Sequence, residues 1–343
     1  MPAPTPAPLP DWIRADYDGA RVLVTGGAGF IGSHLVDGLV AAGAARVHVV
    51  DDLSLGRREN LAAALAHDGV TLTVADCADE GALAAAIGDE RFDRCFNLAV
   101  IPLPHSLVDP QANVNRNVAM TTAVCELGRE RRFERLVHVS SSEVYGTART
   151  APMSEDHPLL AHTPYAAAKA ATDLVVNCYA TTFGLEVATV RPFNTYGERQ
   201  NDAAYAGLIP AVVTRVQRGE PVIVHGDGMQ TRDMTHVSDT SCGMLAVGAS
   251  SAALGATLNL GSGSEASVLE MIALLLDALG VPDHPVEHVE ARAGDVRRLL
   301  ADTSLAQRTV GYAPAVSLRD GLSRTVSWYL ERSSSPAGAA STP

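Results

Sequence analysis

Lysine is almost missing from this sequence of 343 residues: of 26 basic side chains, 25 are arginine and one is Lys169. Lysine is a compact point charge whose pKa can shift, whereas arginine is a planar fork that keeps its proton. A chain that relies on arginine elsewhere retains an ammonium where a guanidinium will not serve. Paired cysteines are missing too. Cys77, Cys95, Cys125, Cys178 and Cys242 are scattered without a CxxC, which excludes a disulfide framework and points to reduced, mostly buried thiols of a cytoplasmic protein. No cluster of Cys and His is evident, so no metal site is expected. The net charge of −13 lacks the basic face that nucleic acid or an anionic membrane would need. No apolar run reaches the roughly 18 residues that span a bilayer. The opening Met1-Pro2-Ala3-Pro4-Thr5-Pro6-Ala7-Pro8-Leu9-Pro10 has neither the basic nor the apolar part of a signal peptide. Residues 1–19 therefore read as a disordered, proline-rich tail, and residues 333–343 as a second one.

What is present is alternation. Short β-branched runs at Arg21–Thr25, Arg46–Val50, Val70–Ala75, Asp93–Leu98, Arg135–Ser140 and Glu186–Arg191 are separated by alanine-rich helical stretches, notably Ile31–Ala42, Asn113–Arg131 and Tyr165–Phe183. Strands alternating with helices predict an α/β fold with a doubly wound, Rossmann-type parallel sheet over residues 20–192. After Pro192, prolines and glycines become frequent and the helices shorten. Residues 193–332 read as mainly a smaller C-terminal substrate-binding lobe, with a cleft between it and the sheet.

The first strand runs into Thr25-Gly26-Gly27-Ala28-Gly29-Phe30-Ile31-Gly32, which opens a helix. Glycine at 26, 29 and 32 allows a tight turn and lets backbone amides, including those near Phe30 and Ile31, approach a pyrophosphate at the positive end of the helix. Asp51 ends the next strand 19 residues after Gly32, where a carboxylate accepts hydrogen bonds from an adenosine ribose and repels a 2′-phosphate. The pattern favours NAD as cofactor over NADP, with Arg57 and Arg58 as the features that keep NADP open. Asp76, after the third strand, is placed to meet the adenine or to cap a helix. Asn97 and Ala99, at the end of the fourth, are placed under the cofactor.

Tyr165 stands four residues before Lys169, so on a helix the phenol and the ammonium share one face. The pair suggests a tyrosine acid/base whose pKa is lowered by the nearby positive charge.

With Gly26, Gly29, Gly32, Tyr165 and Lys169 in place, residues 20 to about 330 resemble the extended short-chain dehydrogenase/reductase family, the NAD-dependent nucleotide-sugar epimerases, dehydratases and decarboxylases. Further matching segments are Val139-Ser140-Ser141-Ser142-Glu143-Val144-Tyr145-Gly146, Arg191-Pro192-Phe193-Asn194-Thr195-Tyr196-Gly197, Gln230-Thr231-Arg232-Asp233 and Gly294-Asp295-Val296-Arg297. The resemblance implies that Ser141 hydrogen-bonds the substrate's 4-hydroxyl, that Tyr165 takes its proton while hydride leaves C4, and that Lys169 holds the ribose and stabilises the phenolate. Asn117 matches an asparagine that supports the site, or is a polar residue of a helix face. Ser142, Arg191, Asn194, Arg232 and Arg292 are the candidate nucleotide-sugar contacts, since arginine suits bidentate recognition of a pyrophosphate; a salt-bridge role stays open for each arginine. The family also suggests a homodimer built on the two long helices.

The reaction that follows C4 oxidation turns on Glu143. It stands where dehydratases and uronate decarboxylases keep a catalytic glutamate and where many 4-epimerases carry a non-ionisable residue. Ser142 departs from the Asp-Glu pair of the familiar dehydratases, although family members with serine there are known, such as those acting on GDP-mannose; a cap or a loop salt bridge is the other reading of Glu143. A 4,6-dehydratase is the first expectation and a 4-epimerase the second. A decarboxylase would want an arginine where Leu299 stands, and a non-catalytic NAD-binding protein would be expected to lose Ser141, Tyr165 or Lys169.

Overall fold

The chain enters its core earlier than the proline-rich start implies. In the computed structural model, which describes residues 9–202, 207–292 and 294–334, Asp11–Tyr17 forms helix α1. Ile13 and Tyr17 are buried, and the Tyr17 hydroxyl donates to Leu245 O at 2.9 Å. This corrects the reading of residues 1–19 as one disordered tail. Two apolar side chains four apart line one face of a short helix, a signal hidden by the prolines before it. The last helix runs to Ser334, past the expected start of the second tail. The remaining residues of both tails, 1–8 and 335–343, lie outside the described residues.

From β1 (Arg21–Thr25) the chain alternates as expected: α2 (Phe30–Ala41), β2 (Arg46–Asp51), β3 (Val70–Val74), α3 (Glu80–Ile87), β4 (Phe92–Asn97), the short α4 (Leu103–Ser106), α5 (Pro110–Arg129), β5 (Phe133–Val139), α6 (Pro164–Phe183) and β6 (Glu186–Pro192). Sequence chemistry sets the helix ends. Asp109 and Thr163 cap α5 and α6 through their side chains, each followed by proline at the first helical position, and α6 stops at Gly184 in the left-handed region. The central strands read as near-continuous apolar runs because helices cover both faces of the sheet; Val22, Leu23, Val24, Val47 and Val49 are all fully buried.

Beyond β6 follow β7 (Asn194–Tyr196), α7 (Leu208–Gln217), β8 (Val222–His225), β9 (Thr231–His236), α8 (Val237–Ala249), β10 (Thr257–Leu260), β11 (Glu265–Ser267), α9 (Val268–Ala278), β12 (Val286–Val289), α10 (Ser304–Val310) and α11 (Leu318–Ser334). The main sheet has seven strands in the order β10-β6-β5-β4-β1-β2-β3, all parallel. It is a doubly wound Rossmann-type sheet.

The division expected at residue 192 is not a clean cut. β10 pairs with β6 from Thr257 against Thr189 to Leu260 against Pro192, and Leu245 and Met244 of α8 share a core with Leu35 of α2. Four residues of Thr-Leu-Asn-Leu are too short to announce a strand by periodicity. The smaller lobe proper holds a β11-β9-β7 sheet and a β12-β8 pair, over a separate core that includes Ile209, Val213, Val224, Leu275 and Val326.

Candidate active site

The turn between β1 and α2 is shaped for a close-fitting anionic ligand. Gly26 has φ +70°, and a Cβ there would lie 2.6 Å from Ala99 N; a Cβ on Gly32 would lie 2.3 Å from Gly26 O. Side chains at these points would push the turn off β4 and off its own helix. α2 opens at Gly29 without a side-chain cap and without an acidic residue in its first turn. The amides of Phe30, Ile31 and Gly32 have no intrahelical partner, and with the helix dipole they form an anion seat. At the end of β2, Asp51 is buried and accepts from Ala28 N and Leu53 N, both at 2.9 Å. Burial raises its pKa, against those backbone hydrogen bonds. The chemistry of this cradle, unpartnered helix amides beside a buried carboxylate, suits a dinucleotide.

Two of the remaining cofactor positions are engaged elsewhere. Asp76 accepts from Ala78 N at 2.9 Å and from Arg116 Nη2 at 2.8 Å; it caps a turn and forms an ion pair, the capping role being one of the two expected of it. Asn97 is buried, accepting from Thr25 Oγ1 at 2.8 Å and reaching Thr121 and His138 at 3.5 and 3.4 Å. It knits β1, β4 and β5 together from within the sheet, and the backbone near Ala99 borders the glycine turn. Asn117 supports that border: its Oδ1 accepts from Ile101 N at 2.9 Å and its Nδ2 donates to Ile101 O at 3.0 Å.

Tyr165 and Lys169 share a face of α6, next to the 3-10 turn Ser142–Tyr145 that follows β5. The Ser141 hydroxyl caps this turn, accepting from Glu143 N at 3.2 Å, and is also hydrogen-bonded to the Tyr165 phenol. Burial pushes the phenol up to about 12, the Ser141 hydrogen bond pulls it down, and the charge of Glu143 adds to the rise. This corrects the expectation of a phenol already lowered by Lys169: desolvation outweighs any distant cation. Lys169 is buried, and its Nζ donates to Val139 O at 2.6 Å. Burial brings its pKa down to about 8, with Asp173 pulling the other way.

Ser142 is buried, whereas Glu143 is half-buried. The Glu143 pKa is raised by burial, lowered by the charge of Arg232 and raised by that of Asp295. No ion pair among the described residues engages its carboxyl, and it is the Ser141 side chain that caps the turn. The cap and salt-bridge readings of Glu143 therefore find no support.

Arg191 is not free to meet a ligand. Its Nε and Nη2 donate to Asp173 Oδ2 at 3.1 and 2.9 Å, and its Nη1 donates to the Tyr145 hydroxyl at 2.9 Å. This corrects its placement among the nucleotide-sugar contacts: position 191 lies inside β6, and the sheet interior demands a buried partner. Asp173, Tyr145 and His138, which sequence reasoning missed, complete the cluster. Burial alone would raise Asp173, but His138 and Arg191 outweigh it and hold the carboxyl below its usual range. Extending the Tyr165–Lys169 spacing by one more turn would have found Asp173. Arg191→Ala should cost roughly 3–5 kcal/mol of stability by stranding Asp173; a denaturant titration with an unchanged midpoint would contradict this.

Arg232 faces Glu143 from β9. Its Nη2 donates to Asp295 Oδ1 and its Nη1 to Val296 O, both at 2.6 Å. Asn194 Oδ1 is buried without a hydrogen-bond partner among the described residues, and Arg292 is exposed. Leu299 is fully buried in a small core with Tyr145 and Phe193, so no basic group stands at that position. Among the described residues, no group of three or more His, Cys, Asp or Glu is placed to hold a metal ion. His284 and His288, four apart, each reach a backbone carbonyl at 2.8 Å, of Glu220 and Gly226.

Known proteins of the same shape sharpen this geometry. A family model described as GDP-mannose 4,6 dehydratase matches residues 23–325. A dTDP-glucose 4,6-dehydratase of an Actinoplanes species is 38% identical over 318 residues, covering 90% of this chain and 97% of the relative. A UDP-glucose 4-epimerase of Mycolicibacterium smegmatis is 36% identical over 315 residues, covering 91% and 99%. The structure of a double mutant of DesIV, a dTDP-glucose 4,6-dehydratase from Streptomyces venezuelae with NAD and DAU bound, superposes with a TM-score of 0.86 at 36% identity, covering 91% of this chain and 98% of that one.

Proposed function

This chain belongs to the extended short-chain dehydrogenase/reductases, the family of NAD-dependent nucleotide-sugar dehydratases and epimerases, and from that premise we propose that it is a nucleotide-sugar 4,6-dehydratase. The observation that carries the reading is Glu143: a half-buried carboxyl with a raised pKa and no ion-pair partner among the described residues, on the same turn as Ser141 and beside Tyr165. An epimerase has no use for an acid there.

In this reading NAD, when bound, would supply the acceptor for the hydride that leaves sugar C4 and the donor that returns it to C6 once water has left, with a proton returned to C5, so that the product keeps its C4 ketone. Gly26, Gly29, Phe30, Ile31 and Gly32 hold its pyrophosphate, Asp51 its adenosine ribose, and Lys169 the ribose nearer the reaction. Ser141 orients the substrate's 4-hydroxyl and Tyr165 takes its proton. A ketone at C4 acidifies C5–H. Glu143, ionised, removes that proton and delivers it to the C6 hydroxyl, which leaves as water. One carboxyl can do both because its raised pKa brings acid and base forms closer in energy at neutral pH. In the same reading Arg232, Asn194 and the exposed Arg292 are the nucleotide-sugar contacts.

A 4-epimerase is the second reading, and the 36% identity to a UDP-glucose 4-epimerase favours it. Mass spectrometry on products from a panel of nucleotide sugars separates the two, since dehydration removes one water and epimerisation leaves the mass unchanged. Cytoplasmic residence and a homodimer belong to the same reading. Among the described residues no helix is long and apolar enough to cross a membrane. Leu174 and Phe183 of α6 are 62% and 49% exposed, an apolar helix surface suited to a second copy.

The reading also fixes a pH dependence. The Lys169 ammonium is kept below its pKa of about 8 and lost above it. kcat/KM, which reports the free enzyme, should therefore fall as pH rises through about 8. In Lys169→Arg, whose side chain does not deprotonate, the residual activity should lack that alkaline limb. A limb at the same pH in both proteins would assign it to another group.

A further inference from the structure

Two arginines distant in sequence share one carboxylate at the rim of the Asp51 seat. Arg57 Nη2 donates to Asp202 Oδ1 at 2.7 Å, and Arg332 Nη1 donates to Asp202 Oδ2 at 2.9 Å. Arg57 is tied to the glycine turn by its own N–H, which donates to Ala28 O at 3.0 Å. Asn60 Nδ2 donates to the same carbonyl at 2.9 Å. The preceding Gly56 passes so near the seat that a Cβ on it would lie 2.6 Å from Asp51 Oδ1. Arg332 is steadied from α11, its guanidinium 5.4 Å over the Trp328 ring. None of these groups takes part in the proton chemistry.

The charge balance at this rim is unusual for a site that accepts a ribose diol. Two guanidiniums with free forks form an arrangement that binds phosphate bidentately. Asp51 by itself opposes a 2′-phosphate, but one carboxylate set against two unengaged arginines would leave a net attraction for the dianion. Asp202 removes that attraction by taking up a donor from each.

We propose that Asp202 is a specificity-determining residue: by engaging Arg57 and Arg332 it withholds from a ribose 2′-phosphate the cations that would bind it, so that NAD is held in preference to NADP. The inference rests on the placement of the adenosine ribose at Asp51. It extends that placement by assigning selectivity to a contact from the far lobe as well as to the strand-end carboxylate.

The test is direct titration of the full-length protein, stripped of carried-over dinucleotide, with NAD+ and with NADP+ in a calorimeter. In Asp202→Ala the Kd for NADP+ should fall about ten-fold or more, the worth of about one charge-assisted hydrogen bond, with little change for NAD+. Asp202→Asn, which keeps the side chain's size and loses its charge, should behave alike. Adding Arg57→Ala to Asp202→Ala should restore most of the original preference. Equal loss of both dinucleotides, or no change in either, would reduce Asp202 to a clasp between lobes and overturn the proposal. Equal affinity of the unaltered protein for NAD+ and NADP+ would overturn the Asp51 placement and the proposal with it. Because binding is the readout, failure to turn over any one sugar leaves the outcome legible.

Discussion

Glu143→Gln should slow loss of water from the nucleotide sugar by roughly 10²–10⁴-fold, the usual worth of a positioned acid/base. C4 oxidation should survive, because Ser141, Tyr165 and Lys169 are untouched, and reduced nicotinamide should then build up as near-ultraviolet absorbance that fails to decay. The amide keeps the volume of the side chain and removes its ability to carry a proton from C5 to the C6 hydroxyl. Burial has already raised the Glu143 pKa, with Arg232 restraining the rise, so the group is poised to act in both directions. A 4-epimerase would be nearly indifferent to the change. If the variant still releases dehydrated product at the original rate, Glu143 is not the acid/base; if the unaltered enzyme releases none, the dehydratase reading falls.

Tyr165→Phe should abolish both the loss of water and the absorbance signal, again by about 10²–10⁴-fold. Its phenol is half-buried and hydrogen-bonded to Ser141, and desolvation holds it near 12. In that state it keeps its proton at neutral pH, so taking the substrate's proton requires positive charge to arrive with the ligands. Lys169 supplies part of it only when a ribose and the phenol are brought together. The variant should therefore bind NAD+ with unchanged affinity while showing no sugar-dependent signal. A Tyr165→Phe enzyme that still accumulates reduced nicotinamide would move the base elsewhere, with Glu143 as the next group to try.

The sequence was most legible where chemistry requires rare residues at fixed spacing. Gly26, Gly29 and Gly32 could be read because only a missing Cβ fits within 3.2 Å of Gly26 O or against Ala99 N. Lys169 stood out because arginine surrounds it everywhere else. The alternation of β1 to β6 was legible because a sheet covered on both faces needs unbroken apolar runs. Arg191 and Asn97 misled because a polar residue in a motif looks the same whether it faces a ligand or a buried partner. Their partners Asp173, Tyr145 and His138 lie in other elements, and only the fold brings them together. Asp202 was invisible for the same reason, being 145 residues from Arg57 and 130 from Arg332.

The late arrival of β10 has a consequence for how the protein is made. A ribosome that has just completed β6 at Pro192 has yet to translate Thr257–Leu260, which pairs with it. Until then the nascent sheet has an open edge along Glu186–Pro192, and Leu35 of α2 lacks the α8 side chains that share its core. Open edges invite pairing with neighbouring chains, and N-terminal units fold first during synthesis. A polypeptide cut anywhere between residues 193 and 256 would therefore carry every glycine of the cofactor turn and still be a poor dinucleotide binder and prone to aggregate.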